Sequence, residues 1–193
     1  MLQGDRGYSR KGEAPGNASR YYSYTRLAAD GELRFGDQTP AVTGSAWLDR
    51  EWSTSALDAD QAGWDWFALQ LDDGTDIMLY QLFDSDGLPV LMSGTAAQDG
   101  HTTVLTETDF EVTVTGRWTS PKTGIEYPMG WTVAVPSKSL QVSVSPLVRN
   151  SEFDGRTTSY KVYWEGPVEI SGSHSGIGFV EMSGYKKAAA AAP

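Results

Sequence analysis

Cysteine is absent from the 193 residues, which removes disulfides, thiolate metal sites and cysteine nucleophiles at once while leaving secretion open. Histidine is nearly absent too: His101 and His174 form no spaced ligand pair, so a zinc hydrolase is not expected, and no metal site is read from the sequence. Positive charge is in short supply, with 15 Lys+Arg against 25 Asp+Glu and a net charge of −10. Without a Lys/Arg cluster, phosphate backbones and anionic lipid repel such a chain, and nucleic acid is not an expected partner. No apolar run approaches the roughly 18 residues of a membrane-spanning helix, and Met1-Leu2-Gln3-Gly4-Asp5 has no signal-peptide core. Instead Met1-Leu2 leads straight into Gly/Ser/Lys-rich sequence that reads as the middle of a longer protein. No glycine-rich phosphate loop follows a strand and opens a helix, and no cofactor is expected.

What is present suits an all-β fold. Hydrophobic residues make up 39%, and 21 glycines accompany them, enough to bury the core of one domain or of one domain plus a piece of another. Glu111-Val112-Thr113-Val114-Thr115-Gly116-Arg117-Trp118 alternates polar with apolar or Gly and predicts a half-buried strand. The same period recurs in Trp131–Val135, Leu140–Ser145 and Tyr160–Glu165. Asp73-Gly74, Asp86-Gly87, Asp99-Gly100 and Asp154-Gly155 are hairpin signals, and Asp30-Gly31 reads as a further turn between Tyr21–Tyr24 and Leu33–Phe35. With Trp64–Leu71, Ile77–Phe83, Val168–Ser171 and Phe179–Met182 added, on the order of ten strands follow one another at about 8–12-residue spacing. Only Ala56–Gln61 has helical composition. A long antiparallel meander must dispose of its edges, and an up-and-down barrel of about 8–10 strands does so while enclosing a cavity for one small apolar ligand.

Seven tryptophans are many for this length, and Trp47, Trp52, Trp64 and Trp66 fall within twenty residues. Trp64 and Trp66, two apart on a strand, face the same side and form either a core wall or a ligand platform. Asp49, Glu51 and Asp65 stand among these rings. A carboxyl group that loses hydration beside indole stays protonated to higher pH and can act as an acid. Equally, Arg50 can pair with one of these carboxylates while the tryptophans fill a barrel end, because structural ion pairs perturb acidity too.

Other motifs have structural explanations. Gly172-Ser173-His174-Ser175-Gly176 has histidine where a nucleophile elbow has serine, and no strand-to-helix context follows. Asp84-Ser85-Asp86-Gly87 begins like a calcium loop, but Thr95 stands where the closing glutamate belongs. Ser183-Gly184-Tyr185-Lys186 matches a Ser-x-x-Lys spacing at a strand end rather than on a helix.

Gly44–Trp52, Gly63-Trp64-Asp65-Trp66, Leu71-Asp72-Asp73-Gly74, Tyr163–Val168 and Gly178–Tyr185 together resemble the AttH-like family over about residues 5 to 185. That family is related to hydroxyneurosporene synthase, the carotenoid 1,2-hydratase, and carries the label predicted secreted hydrolase. The resemblance implies lipocalin-like (calycin) barrels in tandem. Residues 1–44 would then be the end of a preceding lipocalin-like domain or linker strands, 45–187 the barrel, and 188–193 a disordered alanine-rich tail. It also implies a bacterial protein, periplasmic, secreted or lipid-anchored, with the preceding domain as a partner. If the hydratase analogy holds, Asp49, Glu51 or Asp65 would protonate an alkene. Trp47, Trp52, Trp64, Trp66 and Tyr80 would surround the resulting cation. Three readings follow: a barrel binding a hydrophobic small molecule such as an isoprenoid or lipid in its interior, a cofactor-independent hydratase, and a non-catalytic structural half of a two-barrel protein.

Overall fold

The computed structural model describes residues 1–54 and 57–186. Near the N-terminus, β1 (Tyr8–Arg10), β2 (Ala18–Glu32) and β3 (Ala41–Trp52) form a three-stranded antiparallel sheet in that order. The chain then lays down β4 (Gly63–Leu71), β5 (Asp76–Phe83), β6 (Pro89–Gln98), β7 (His101–Thr106) and β8 (Glu111–Val114). A small pair, β9 (Arg117–Thr119) and β10 (Glu126–Pro128), interrupts the run. The remaining strands are β11 (Trp131–Val135), β12 (Leu140–Pro146), β13 (Glu152–Asp154), β14 (Val162–Gly172) and β15 (Gly176–Ser183).

Ten of these strands make one antiparallel sheet, ordered β7-β6-β5-β4-β15-β14-β12-β11-β8 with β13 added beside β14. The sheet is strongly curled into a half-barrel of lipocalin-like type. Its edge strands β7 and β8 follow one another in sequence without pairing.

Period-two alternation decides which side chains enter the curl. Phe67, Leu69 and Leu71 of β4 point inward with Ile77 and Leu79 of β5, Trp131, Val133 and Val135 of β11, Trp164 and Val168 of β14, and Val180 and Met182 of β15. The Phe67 and Trp131 rings meet edge to face at 5.5 Å. Each such side chain contributes roughly 1.5–3 kcal/mol by leaving water. The interior expected to hold a ligand is therefore filled by the protein's own core, because the inward positions of nearly every strand are large and apolar.

Several local expectations change. Asp30-Gly31 does not turn the chain: β2 runs through it to Glu32, and the reversal comes later, with Phe35 bridged to Gln38. Tyr21–Tyr24 is thus part of a 15-residue strand, and Leu33–Phe35 forms none. The stretch from Glu111 to Trp118 is broken at Thr115-Gly116 into β8 and β9, where Thr115 N–H donates to the Gly130 carbonyl. Residues 57–61 are not helical, while Ser55, Ala56 and the tail at 188–193 lie outside the described residues. Position 44 falls inside β3, and the change from one sheet to the other comes after Trp52. Asp99 and Gly100, with φ of 50° and 77°, do make the tight hairpin between β6 and β7.

Candidate functional site

The residues between the inward ones face the other way, and they build a cleft. Trp64, Trp66, Ala68 and Gln70 of β4, Tyr80 and Leu82 of β5, and Ile177, Phe179 and Glu181 of β15 form its floor on the outer face of the half-barrel. The small sheet supplies the wall. Ser19 and Tyr21 of β2 face it, and Ser45, Trp47, Asp49 and Glu51 of β3 stand at alternate positions on one face of that strand. The cleft is open to solvent and measures about 900 Å³.

Hydrogen bonds tie wall to floor. The Trp66 indole N–H donates to the Tyr21 hydroxyl at 3.1 Å, which in turn donates to Asp49 Oδ2 at 2.8 Å. Asp49 Oδ1 also accepts the Trp47 indole N–H at 2.9 Å and the Ser23 hydroxyl. Burial first, and then the neighbouring Asp49 charge, push the Tyr21 hydroxyl far above the ordinary phenol range, so it stays a donor. Glu51 accepts the Ser19 hydroxyl and pairs with Lys11 Nζ at 2.7 Å. That ammonium also lies 4.2 Å from the Tyr80 ring centroid and 5.3 Å from that of Tyr21. The Tyr80 hydroxyl donates to the Arg10 carbonyl at 2.6 Å. On the floor, the Trp64 indole N–H donates to Glu181 Oε1 at 3.1 Å. Burial, more than any neighbour, raises the Glu181 carboxyl above the usual carboxylate range, with Glu165 and Asp49 adding to the shift and the Trp64 bond opposing it.

The sequence-predicted residues divide into two groups. Trp47, Trp64, Trp66, Tyr80, Asp49 and Glu51 converge on the cleft. Trp52 stands at its rim, 54% exposed, with its ring edge against Tyr22. Asp65 lies on the opposite face of β4 from Trp64 and Trp66. It is buried against Gln81 Nε2, at 2.7 Å, and the Tyr185 hydroxyl, at 2.8 Å, and its burial pushes the carboxyl up to about 6. Of the three carboxylates expected among the rings, the desolvated one is thus behind the floor, while Asp49 and Glu51 are exposed on β3. Arg50, at an even position of β3, is paired with neither.

Sequence reasoning missed Lys11, Tyr21 and Glu181. Lys11 falls in a stretch of loop-like composition, so nothing local marked it. Only the face of Glu181 was legible, because Ile177, Phe179 and Glu181 alternate with the inward Val180 and Met182.

The model of a family described as AttH-like matches residues 1–185. A crystal structure of a protein from Nitrosomonas europaea, titled as a candidate AttH, superposes with a TM-score of 0.90 at 36% identity, covering 97% of this chain and 58% of that one. Kievitone hydratase from Nectria haematococca superposes with a TM-score of 0.75 at 21% identity, covering 95% of this chain and 57% of that one. The chain thus spans somewhat over half the length of these two structures. No curated protein matches it.

Proposed function

The chain belongs to the AttH-like family, and on that footing we propose that it binds a hydrophobic small molecule, of the isoprenoid or lipid class, in the cleft between the small sheet and the outer face of the half-barrel. One observation carries this reading: aromatic and aliphatic side chains from five strands line an open space of about 900 Å³ while the inward positions form a buried apolar core. Small-molecule sites have this size and this mostly apolar lining with a few placed polar groups. The test is a titration of intrinsic tryptophan emission with a fatty acid and with a carotenoid. A saturable change is expected, weakened about tenfold or more in Trp66→Ala, which removes a floor ring. A linear, non-saturating response to both ligands would end the reading.

A second reading, a hydratase, is favoured by Glu181, a half-buried carboxyl bonded to an indole in a cleft whose fold resembles that of a protein named as a hydratase. Such an acid would give its proton to an alkene carbon, the π electrons forming the new C–H bond, water would capture the tertiary cation left on the neighbouring carbon, and the oxonium so formed would return its surplus proton to the carboxylate. Asp49, Glu51 and Glu181 are the acids facing the cleft, Glu51 being paired with Lys11, and Asp65 is cut off from it by the sheet. Turnover of an isoprenoid alkene that survives in both Asp49→Asn and Glu181→Gln would exclude them as donors.

A further inference from the structure

We propose that the cleft selects amphiphiles whose head carries a positive charge, an amine or quaternary ammonium group seated between Asp49 and Glu181 against the Trp64 and Trp66 rings. This rests on the hydrophobic-ligand reading above and names the class of ligand.

The cleft already holds one ammonium group. Lys11 Nζ lies over the Tyr80 and Tyr21 rings and on the Glu51 carboxylate, so a cation with aromatic faces and a carboxylate around it is an arrangement this wall is built to make. The adjoining stretch of the cleft, across Tyr21, repeats the chemistry with no ion-pairing cation of its own among the described residues. Trp66 bonds the Tyr21 hydroxyl, which bonds Asp49, and Trp64 bonds Glu181, so two indoles and two carboxylates surround one stretch of floor. Glu181 and Trp66 are register partners across β15 and β4, which brings the second carboxylate beside the second ring. Among the described residues neither Asp49 nor Glu181 is in an ion pair.

Electrostatics favours a cation there. Asp49 and Glu165 both bear on Glu181 as like charges, offset in part by Lys161. A positive head between the carboxylates relieves that repulsion and gains the negative faces of the rings, whereas an anionic head meets three cleft carboxylates against one lysine. The body of the ligand has a place too. Ile177 and Phe179, 58% and 38% exposed, continue the floor away from the carboxylates, and an alkyl chain would cover them.

Three probes of equal chain length separate charge from tail: octyltrimethylammonium, octanol and octanoate, each titrated against tryptophan emission at about 150 mM salt, where long-range attraction to the acidic surface is screened. The cation is expected to bind about tenfold or more tightly than octanol, and octanoate more weakly than either. Asp49→Asn combined with Glu181→Gln should bring the cation's affinity down to that of octanol in the same variant. Glu107→Gln with Glu111→Gln, which removes the same charge from exposed positions away from the cleft, should keep it. Equal affinities for octanol and the cation in the unaltered protein would overturn the cationic class and leave hydrophobic binding standing. Loss of the preference in the Glu107/Glu111 variant would overturn it as well, by making the effect one of net charge. A saturable response to none of the three would sink both this inference and the reading it rests on.

Discussion

Asp65 faces Gln81 and Tyr185 in the buried end of the half-barrel, and its ionisation is opposed by the same burial that keeps water out. With the folded-state carboxyl near 6 against an ordinary 3.8, the protonated form is favoured by folding. The stability this contributes is complete below the ordinary carboxylate value and is lost as pH rises through about 6. The loss is about 3 kcal/mol once the group is fully charged. Asp65→Asn removes the titration. About half of that loss falls between pH 5 and pH 8, so over this range Tm of the unaltered protein should fall relative to the variant by about 3 °C or more; parallel Tm curves would refute this. The position also marks how far sequence reading reaches. Alternation alone sets Asp65 opposite to Trp64 and Trp66, so its separation from them was legible, but which of the two faces is core depends on what packs from other strands. Tyr21 and Glu181 became cleft residues only when β2 and β15, distant in sequence, met β4.

The β2–β3 ribbon shows the same division between local pattern and distant partner. Its register shifts between Tyr24 and Leu27, leaving Thr25 and Arg26 as a bulge opposite Trp47. The bulge re-aims Arg26 to the turn between β4 and β5, where its guanidinium bonds Asp76 Oδ1 at 2.9 Å and the Leu71 carbonyl at 2.7 Å. Beyond that anchor both strands of the ribbon are exposed on both faces. Arg26→Ala should therefore speed amide exchange from Leu27 to Ser45 about tenfold while changing Tm by under about 3 °C, because a half-exposed ion pair contributes little to global stability. Unchanged exchange would mean that the ribbon is held elsewhere. Five Asp-Gly pairs announced turns, and Asp30-Gly31 did not make one. That pair lies inside a long antiparallel pairing, with Asp30 opposite Thr43 and Gly31 opposite Val42, and the ladder overrode the local preference.

At the scale of the whole molecule one sheet has two occupations, a sealed core on its concave face and an open cleft on its convex one. The all-β class follows from periodicity, whereas β6 and β7 escaped it and the choice between the two faces follows from contacts that no window of sequence contains. The two sides are separable by mutation. Trp131→Ala, in the core against Phe67, should cost about 3–5 kcal/mol in denaturant unfolding. Ligand affinity at the cleft should stay within about twofold in the surviving native fraction, and a matching loss of affinity would show that the faces are energetically one.

The partition between them is a single layer of peptide, and at Trp64-Asp65-Trp66 three consecutive side chains alternate across it. A layer that thin stops molecules but not electric fields. Deprotonation of Asp65 will tint the emission of the two indoles on the far side, so the part of the spectral change across pH 6 that Asp65→Asn removes is an internal proton signal, separate from that of Glu181 on the Trp64 indole.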